Sequence, residues 1–289
     1  MSTVGRAKRA MLGRYGAPIR WAHRGAVRTQ LATVGAVGRV RVRRNAARDD
    51  WLAERLTITA KTFLRPATAT RMVRTARSAF TGRIVIADDS PTPMAAPDDR
   101  TTVLALPFNS GVAKGRNAAI AAATTPYVMV TDDDAVFTRG TDLAAAVGYL
   151  EDNPGVDAVC ATLVELPRWY VWAYGDEGEL FPGHLPPLRP FGEVIDGLPV
   201  VLKGPQVYLA RTERLREVPY DEQLRMVDHR DFFSRACGRL VFVRAPGLVL
   251  FHARTPFDAA YTSYREDTAP DLAYLGRKWS RPIDRPPVD

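Results

Sequence analysis

Pro126-Tyr127-Val128-Met129-Val130-Thr131-Asp132-Asp133-Asp134-Ala135-Val136-Phe137 is an apolar strand pattern that runs into three consecutive carboxylates before turning back into apolar sequence. Three acids at the end of a buried strand repel one another and lose hydration, so they call for a cation. The plain reading is a cap for the next helix, since Asp is common there. One Asp would suffice for that. Three favour a metal site for Mn2+ or Mg2+, which accept hard carboxylate oxygens and can hold a diphosphate.

The segments around this strand alternate between strand and helix. Leu56–Ala60, Arg83–Ala87, Thr101–Leu106, Tyr127–Thr131 and Val156–Leu163 read as strands. Helical spacing covers Pro66–Phe80, Val112–Thr124 and Asp142–Leu150, with Pro66 in the first turn of its helix. A short strand is expected at Val207–Ala210, a helix at His229–Cys237, and strands near Leu240–Val243 and Leu248–Phe251. This rhythm predicts an α/β fold with a mainly parallel central sheet and helices on both faces. Ligands of such sheets sit beyond the carboxyl ends of the strands.

That rule groups several side chains. Asp88 and Asp89 end the second strand. They are either a turn, as Ser90 and Pro91 suggest, or acceptors for a ribose or base edge. Lys61 and Arg65 follow the first strand as surface charges or as contacts for base and phosphates. His252 ends the last strand. A lone His is commonly structural, but beside a carboxylate site it is a candidate ligand that favours manganese. Gly111-Val112-Ala113-Lys114-Gly115-Arg116-Asn117 opens a helix. It is not a Walker loop, yet its backbone N–H groups suit phosphate, with Arg116 and Asn117 facing the strand ends. Asp231, in Asp228-His229-Arg230-Asp231-Phe232-Phe233, is a helix-start acid or a general base for an acceptor hydroxyl. Trp169, Tyr170 and Trp172 are either core packing or a flat platform for an acceptor sugar.

The chain has 289 residues and a net charge of +8, but the charge is unevenly placed. Residues up to Arg48 carry 12 Lys or Arg and no acid, so the remainder is mildly acidic. The high pI therefore argues little for nucleic acid. Residues 1–50 read as a basic arm, 51–254 as the catalytic domain, and 255–289 as a tail on the acceptor side. The arm is either frayed and solvated, laid on anionic lipid through the Arg20, Arg24, Arg28 face, or an early helix packed on the body. Cys160 and Cys237 are expected as buried free thiols. The lack of a long apolar run or signal-like core leads to an expected reducing cytoplasm, with the inner membrane face as an alternative. The excess of Arg over Lys, with abundant Ala, suggests a high-GC bacterial genome.

The ordered series of motifs resembles the GT-A glycosyltransferases, notably the ganglioside-type N-acetylgalactosaminyltransferases and their family-2-like bacterial relatives. It comprises Lys61-Thr62-Phe63-Leu64-Arg65-Pro66, Ile84-Val85-Ile86-Ala87-Asp88-Asp89-Ser90, Leu106-Pro107-Phe108, Gly115-Arg116-Asn117 and Thr125-Pro126-Tyr127. Asp132-Asp133-Asp134 with Val136-Phe137-Thr138, Leu209-Ala210-Arg211-Thr212, His229-Arg230-Asp231-Phe232-Phe233 and His252 follow. The resemblance covers Leu56 to about Arg254. It implies an inverting, metal-dependent enzyme moving a HexNAc or hexose from a UDP-sugar to a glycan, glycolipid or metabolite hydroxyl. By that resemblance Asp88 would contact uridine, Asp132 the ribose or sugar, and Asp134 with His252 the metal, while Asp231 would be the base. Thr59, Lys61, Arg65, Asp89, Gly111, Lys114, Arg116, Asn117 and Asp133 complete the expected donor contacts, and His229 joins the acceptor side. A binding protein of the same fold without turnover is the alternative.

Overall fold

The computed structural model describes residues 16–41, 46–172, 177–254, 258–265 and 267–280, with only the backbone described at 38–41 and 177. Four parallel strands form one half of the sheet: β1 (Leu56–Thr62), β2 (Ile84–Asp88), β3 (Thr101–Ala105) and β4 (Tyr127–Asp132). β5 (Ala135–Val136), β6 (Ala158–Glu165), β7 (Tyr170–Val171), β8 (Val194–Ile195), β9 (Leu198–Val201), β10 (Tyr208–Arg211) and β11 (Phe242–His252) follow. The spatial order is β3-β2-β1-β4-β10-β6-β11-β9-β8. β10 is antiparallel to both of its neighbours, whereas β6 and β11 are parallel to each other.

Helices α1 (Ala17–Arg41), α2 (Ala46–Arg55), α3 (Pro66–Ala76), α4 (Val112–Ala121), α5 (Leu143–Asp152), α6 (Thr212–Arg216), α7 (His229–Ala236), α8 (Ala259–Arg265) and α9 (Ala269–Lys278) flank the sheet. Apolar side chains of β4 go both ways. Tyr127 and Met129 join the core beneath α3 and α5, with Met72, Val73, Val147 and Leu150. Val128 and Val130 join the core beneath α4 and α7, with Ala113, Ile120, Phe232 and Phe233. Burial on both faces is why this strand reads as a continuous apolar run. Phe232 and Phe233 are fully buried. Each contributes about 1.5–3 kcal/mol relative to an exposed ring, which pins α7 to the sheet.

Several boundaries differ from the sequence reading. α3 stops at Ala76 and α4 at Ala121. The two strands expected near 240 and 250 are one strand, β11, whose pairing with β6 shifts between Arg244 and Val249. Pro246 lies in that interval and cannot donate to a ladder, which accounts for the gap. Part of the basic arm is helical in α1, with Val27 buried against Val136, Leu166 and Ala253, which matches the packed early helix among the three alternatives. α2 crosses the boundary drawn at residue 50. The tail forms α8 and α9. Residues 1–15, 42–45 and 281–289 lie outside the described residues. Cys160 and Cys237 are free and buried, and burial pushes the Cys160 thiol up. Among the described residues no helix is long and apolar enough to cross a membrane.

Candidate active site

The carboxyl ends of β1 and β4 lie side by side, with Lys61 opposite Asp132. Their acids take different roles at once. Asp133 is buried and accepts from Thr62 Oγ1 at 2.7 Å and from Arg65 Nη2. Asp134 Oδ2 accepts from Arg65 Nη1 at 3.1 Å. Asp132 is partly exposed and pairs with Arg116 at 2.8 Å. Arg116 also holds Asp228 at 2.6 Å. It therefore ties the end of β4 to the start of α7.

The backbone entering α3 aims Arg65 at the acids. Leu64 adopts a left-handed φ of 57°, and its N–H donates to Ser90 Oγ at 2.8 Å. A leucine in that region costs of order 1–3 kcal/mol, and such cost is retained where surrounding contacts over-determine the turn. Arg65 then sits 3.8 Å from the Tyr261 ring of α8. Burial disfavours its charge, but Asp133 and Asp134 outweigh this and raise its pKa further. Burial, opposed by Arg65 and aided by Asp134, pushes Asp133 up to about 6.

β5 pairs with β11 so that Ala135 faces His252, which brings Asp134 beside the imidazole. Asp134 Oδ1 lies 2.9 Å from His252 Nε2. The approach is off the line of a hydrogen bond, and Oδ1 is buried with no hydrogen-bond partner among the described residues. His252 Nδ1 contacts Glu165 Oε1 at 2.7 Å. Trp172 Nε1 donates to the same oxygen at 3.3 Å, and Arg254 approaches it at 3.2 Å. Burial works against an imidazolium here, but the Asp134 charge, helped by Glu165, raises His252 to about 10. Burial likewise opposes ionised Asp134, yet His252 and then Arg65 hold its carboxyl well below the usual range.

This donor set suits a divalent cation. An orphaned carboxylate oxygen faces an imidazole nitrogen. At 2.9 Å apart, Asp134 Oδ1 and His252 Nε2 are close enough for one cation to be held by both. Glu165 at Nδ1 fixes the ring with Nε2 toward Asp134, the usual outer support of a ligating His. Among the described residues no group of three or more His, Cys, Asp or Glu is arranged to hold an ion. Asp134 and His252 would therefore leave most positions to phosphate oxygens and water, as is common for Mg2+ bound with nucleotides.

Other expected donor contacts are placed differently. Lys61 pairs with Asp89 at 2.8 Å, and burial lowers its pKa. It passes so close to α4 that a Cβ on Gly115 would meet Lys61 Cγ at 2.3 Å. Asp89 also accepts from Gly111 N at 2.9 Å. Val112 N donates to Arg225 O, so the N–H groups of Gly111 and Val112, the first two of the glycine loop, are already taken. Both oxygens of Asp88 are occupied by Ser90 N and Met94 N, which makes it a loop former. Thr59 is buried in the sheet and donates to Met129 O at 3.0 Å. Asn117 faces the other way, bonding Tyr220 and Glu222. Lys114 is exposed.

The acceptor-side residues also separate. Trp169 is half exposed and packs on Phe251, while Tyr170 and Trp172 contact each other edge to face. His229 is buried, with Nε2 at 2.7 Å from Gly204 O, and so does not face an acceptor. Asp231 is fully buried and departs from the expected arrangement. Its oxygens contact Arg235 at 2.7 Å, Lys278 at 2.7 Å and Trp279 Nε1 at 2.9 Å. Asp228, one turn earlier, is the α7 carboxylate linked to Asp132. Glu165, Asp228 and Tyr261 were not singled out from the sequence. Glu165 ends a strand that was read as stopping two residues earlier, and the strand-end rule would have found it.

Residues 62–196 match the Glycosyl transferase family 2 model. The chain is 31% identical over 228 residues to beta-1,4 N-acetylgalactosaminyltransferase 2 of Mus musculus, covering 74% of this chain and 44% of that protein. It is 34% identical over 208 residues to beta-1,4 N-acetylgalactosaminyltransferase 1 of Homo sapiens, covering 68% of this chain and 39% of that protein. The chain thus spans less than half the length of these relatives. Similar solved structures include S. aureus TarS, with a TM-score of 0.50, 14% identity, and coverage of 68% of this chain and 60% of that one. GalNAc-T7 with UDP, GalNAc and Mn2+ gives 0.51, 14%, and 78% and 51%. The chain has the GT-A fold, and its residues 62–196 carry a Glycosyl transferase family 2 domain.

Proposed function

We propose that this protein is an inverting glycosyltransferase that moves a sugar, N-acetylgalactosamine first among the candidates, from a UDP donor to a hydroxyl acceptor. The observation that carries this reading is the Asp134–His252 pair, with its orphaned carboxylate oxygen, at the carboxyl ends of the strands. The likeness to N-acetylgalactosaminyltransferases supports the donor, as does the fold shared with a structure holding UDP, GalNAc and Mn2+.

Asp134 and His252 would hold a divalent cation, Mn2+ or Mg2+, whose chemistry is to neutralise the leaving diphosphate. Asp132, fixed by Arg116, orients the ribose or sugar. Arg65 and Arg116 supply positive charge on the donor side. A carboxylate at the start of α7 takes the acceptor hydroxyl proton as the new C1–O bond forms and the bond to UDP breaks. Asp228 suits that role better than Asp231, whose oxygens are held by Arg235, Lys278 and Trp279. Trp169, Tyr170 and Trp172 border the acceptor side.

The test is UDP release on mixing the protein with UDP-sugars, Mn2+ or Mg2+, and a panel of glycan, glycolipid and small hydroxyl acceptors. Acceptor-dependent release abolished by chelation is expected. Donor binding without release under every condition would leave a binding protein of the same fold.

A further inference from the structure

Among the described residues, helix α1 is held to the body through the side that carries Val27. Val27 is buried, Leu31 packs beside it, and Gln30 Nε2 donates to Pro167 O at 3.0 Å. At about 100° per residue, His23, Val27 and Leu31 share this side. Trp21, Arg24 and Arg28 share another, within about 60° of arc. Trp21 is 80% exposed and Ile19 is 53% exposed, and Arg24 and Arg28 are exposed as well. No acid occurs before Asp49.

The loop under α1, on its His23 side, is exposed as well. Arg168 is exposed and lies close enough to His23 to lower its pKa, after the larger effect of burial. Trp169 and Val171 are about half exposed. An exposed indole beside two exposed arginines, in a stretch of sequence without an acid, matches the interfacial layer of an anionic bilayer. There the ring sits among headgroups and the guanidinium groups meet phosphate. Val171, exposed beside Trp169, favours this over nucleic acid, which offers aliphatic side chains no apolar layer.

We propose that the outer side of α1, with Arg168 and Trp169, docks the protein on an anionic membrane. Trp172, three positions beyond Trp169, bonds Glu165 behind His252, so this surface borders the candidate active site. Docking would set the acceptor side against the bilayer, where a lipid-linked hydroxyl would be presented. That consequence rests on the transferase reading, whereas the docking does not.

The test is co-sedimentation of the whole chain with vesicles of phosphatidylcholine alone and mixed with phosphatidylglycerol. Binding only to the anionic vesicles, weakened by salt, is expected. Arg24→Ala with Arg28→Ala should lower partitioning about thirtyfold. Trp21→Ala should lower it several-fold, with the circular dichroism spectrum of every variant unchanged. Equal binding by wild type and variants would overturn the proposal. So would no binding to anionic vesicles, equal binding to neutral ones, or a Trp21-dependent dimer or nucleic-acid complex in their place.

Discussion

Asp134 Oδ1 and His252 Nε2 stand 2.9 Å apart without a hydrogen bond between them. The two come from different strands, joined by the short β5–β11 pairing. Native structures seldom leave a buried carboxylate oxygen without a hydrogen bond, and the cation proposed above would satisfy this one. Asp134→Ala should abolish the thermal shift that UDP-sugar and Mn2+ produce together. A shift retained in that variant would remove Asp134 from the metal site.

The same pair predicts a pH dependence. Without metal, the folded-state pKa of His252 is raised to about 10, and burial opposes a gain supplied chiefly by Asp134. A raised pKa stabilises fully below the unfolded value of about 6.5 and is lost as pH climbs toward the folded value. Metal-free protein should therefore lose thermal stability through that alkaline window, and His252→Gln should flatten the curve. Metal binding expels the proton, so Mn2+ affinity should rise with pH over the same range. Calorimetry in buffers of different ionisation enthalpy would count the released proton.

Glu165 orients the imidazole from behind and shares Trp172 and Arg254 as partners. Glu165→Gln should weaken Mn2+ binding by about 10–100-fold while preserving the fold. An unchanged affinity would show that the ring is fixed by other contacts.

Gly115 makes room for Lys61, since an added Cβ would meet Lys61 Cγ at 2.3 Å. Gly115→Ala should destabilise by about 1–3 kcal/mol through overcrowding. Combined with Lys61→Ala, the cost should largely vanish, which a double-mutant cycle in urea would register. Additive costs would mean that the two side chains do not compete.

Asp228 and Asp231 make a further pair of predictions. Asp231→Asn should lower stability, because Lys278 and Arg235 lose a fully buried counter-charge, with a smaller effect on turnover. Asp228→Asn should keep UDP-sugar binding and lose transfer. Single-turnover assays beside binding measurements separate these outcomes. The reverse pattern would return the base to Asp231.

The sheet was legible because β2, β4 and β6 are apolar on both faces and end in acids. The strand-end rule led to Asp132–Asp134 and His252 for the same reason. What could not be read was where each polar side chain spends its hydrogen bonds. Asp88 is consumed by its own loop, the turn reading that Ser90 and Pro91 offered. Asn117 follows Arg116, and one helical step of about 100° turns it toward Tyr220. α1 was obscured by scattered glycines and unbroken positive charge, neither of which reveals that Val27 finds a buried seat.

Tyr261 covers Arg65, and Lys278 with Trp279 holds Asp231, yet every described strand has ended by His252. The sheet and the groups that cover its charged end are thus written in different stretches of the polypeptide. A protease that nicked the chain just past Arg254 and released the rest would leave the sheet standing. It would also strip Tyr261 from Arg65 and remove α8 and α9, a loss of helix that circular dichroism would register.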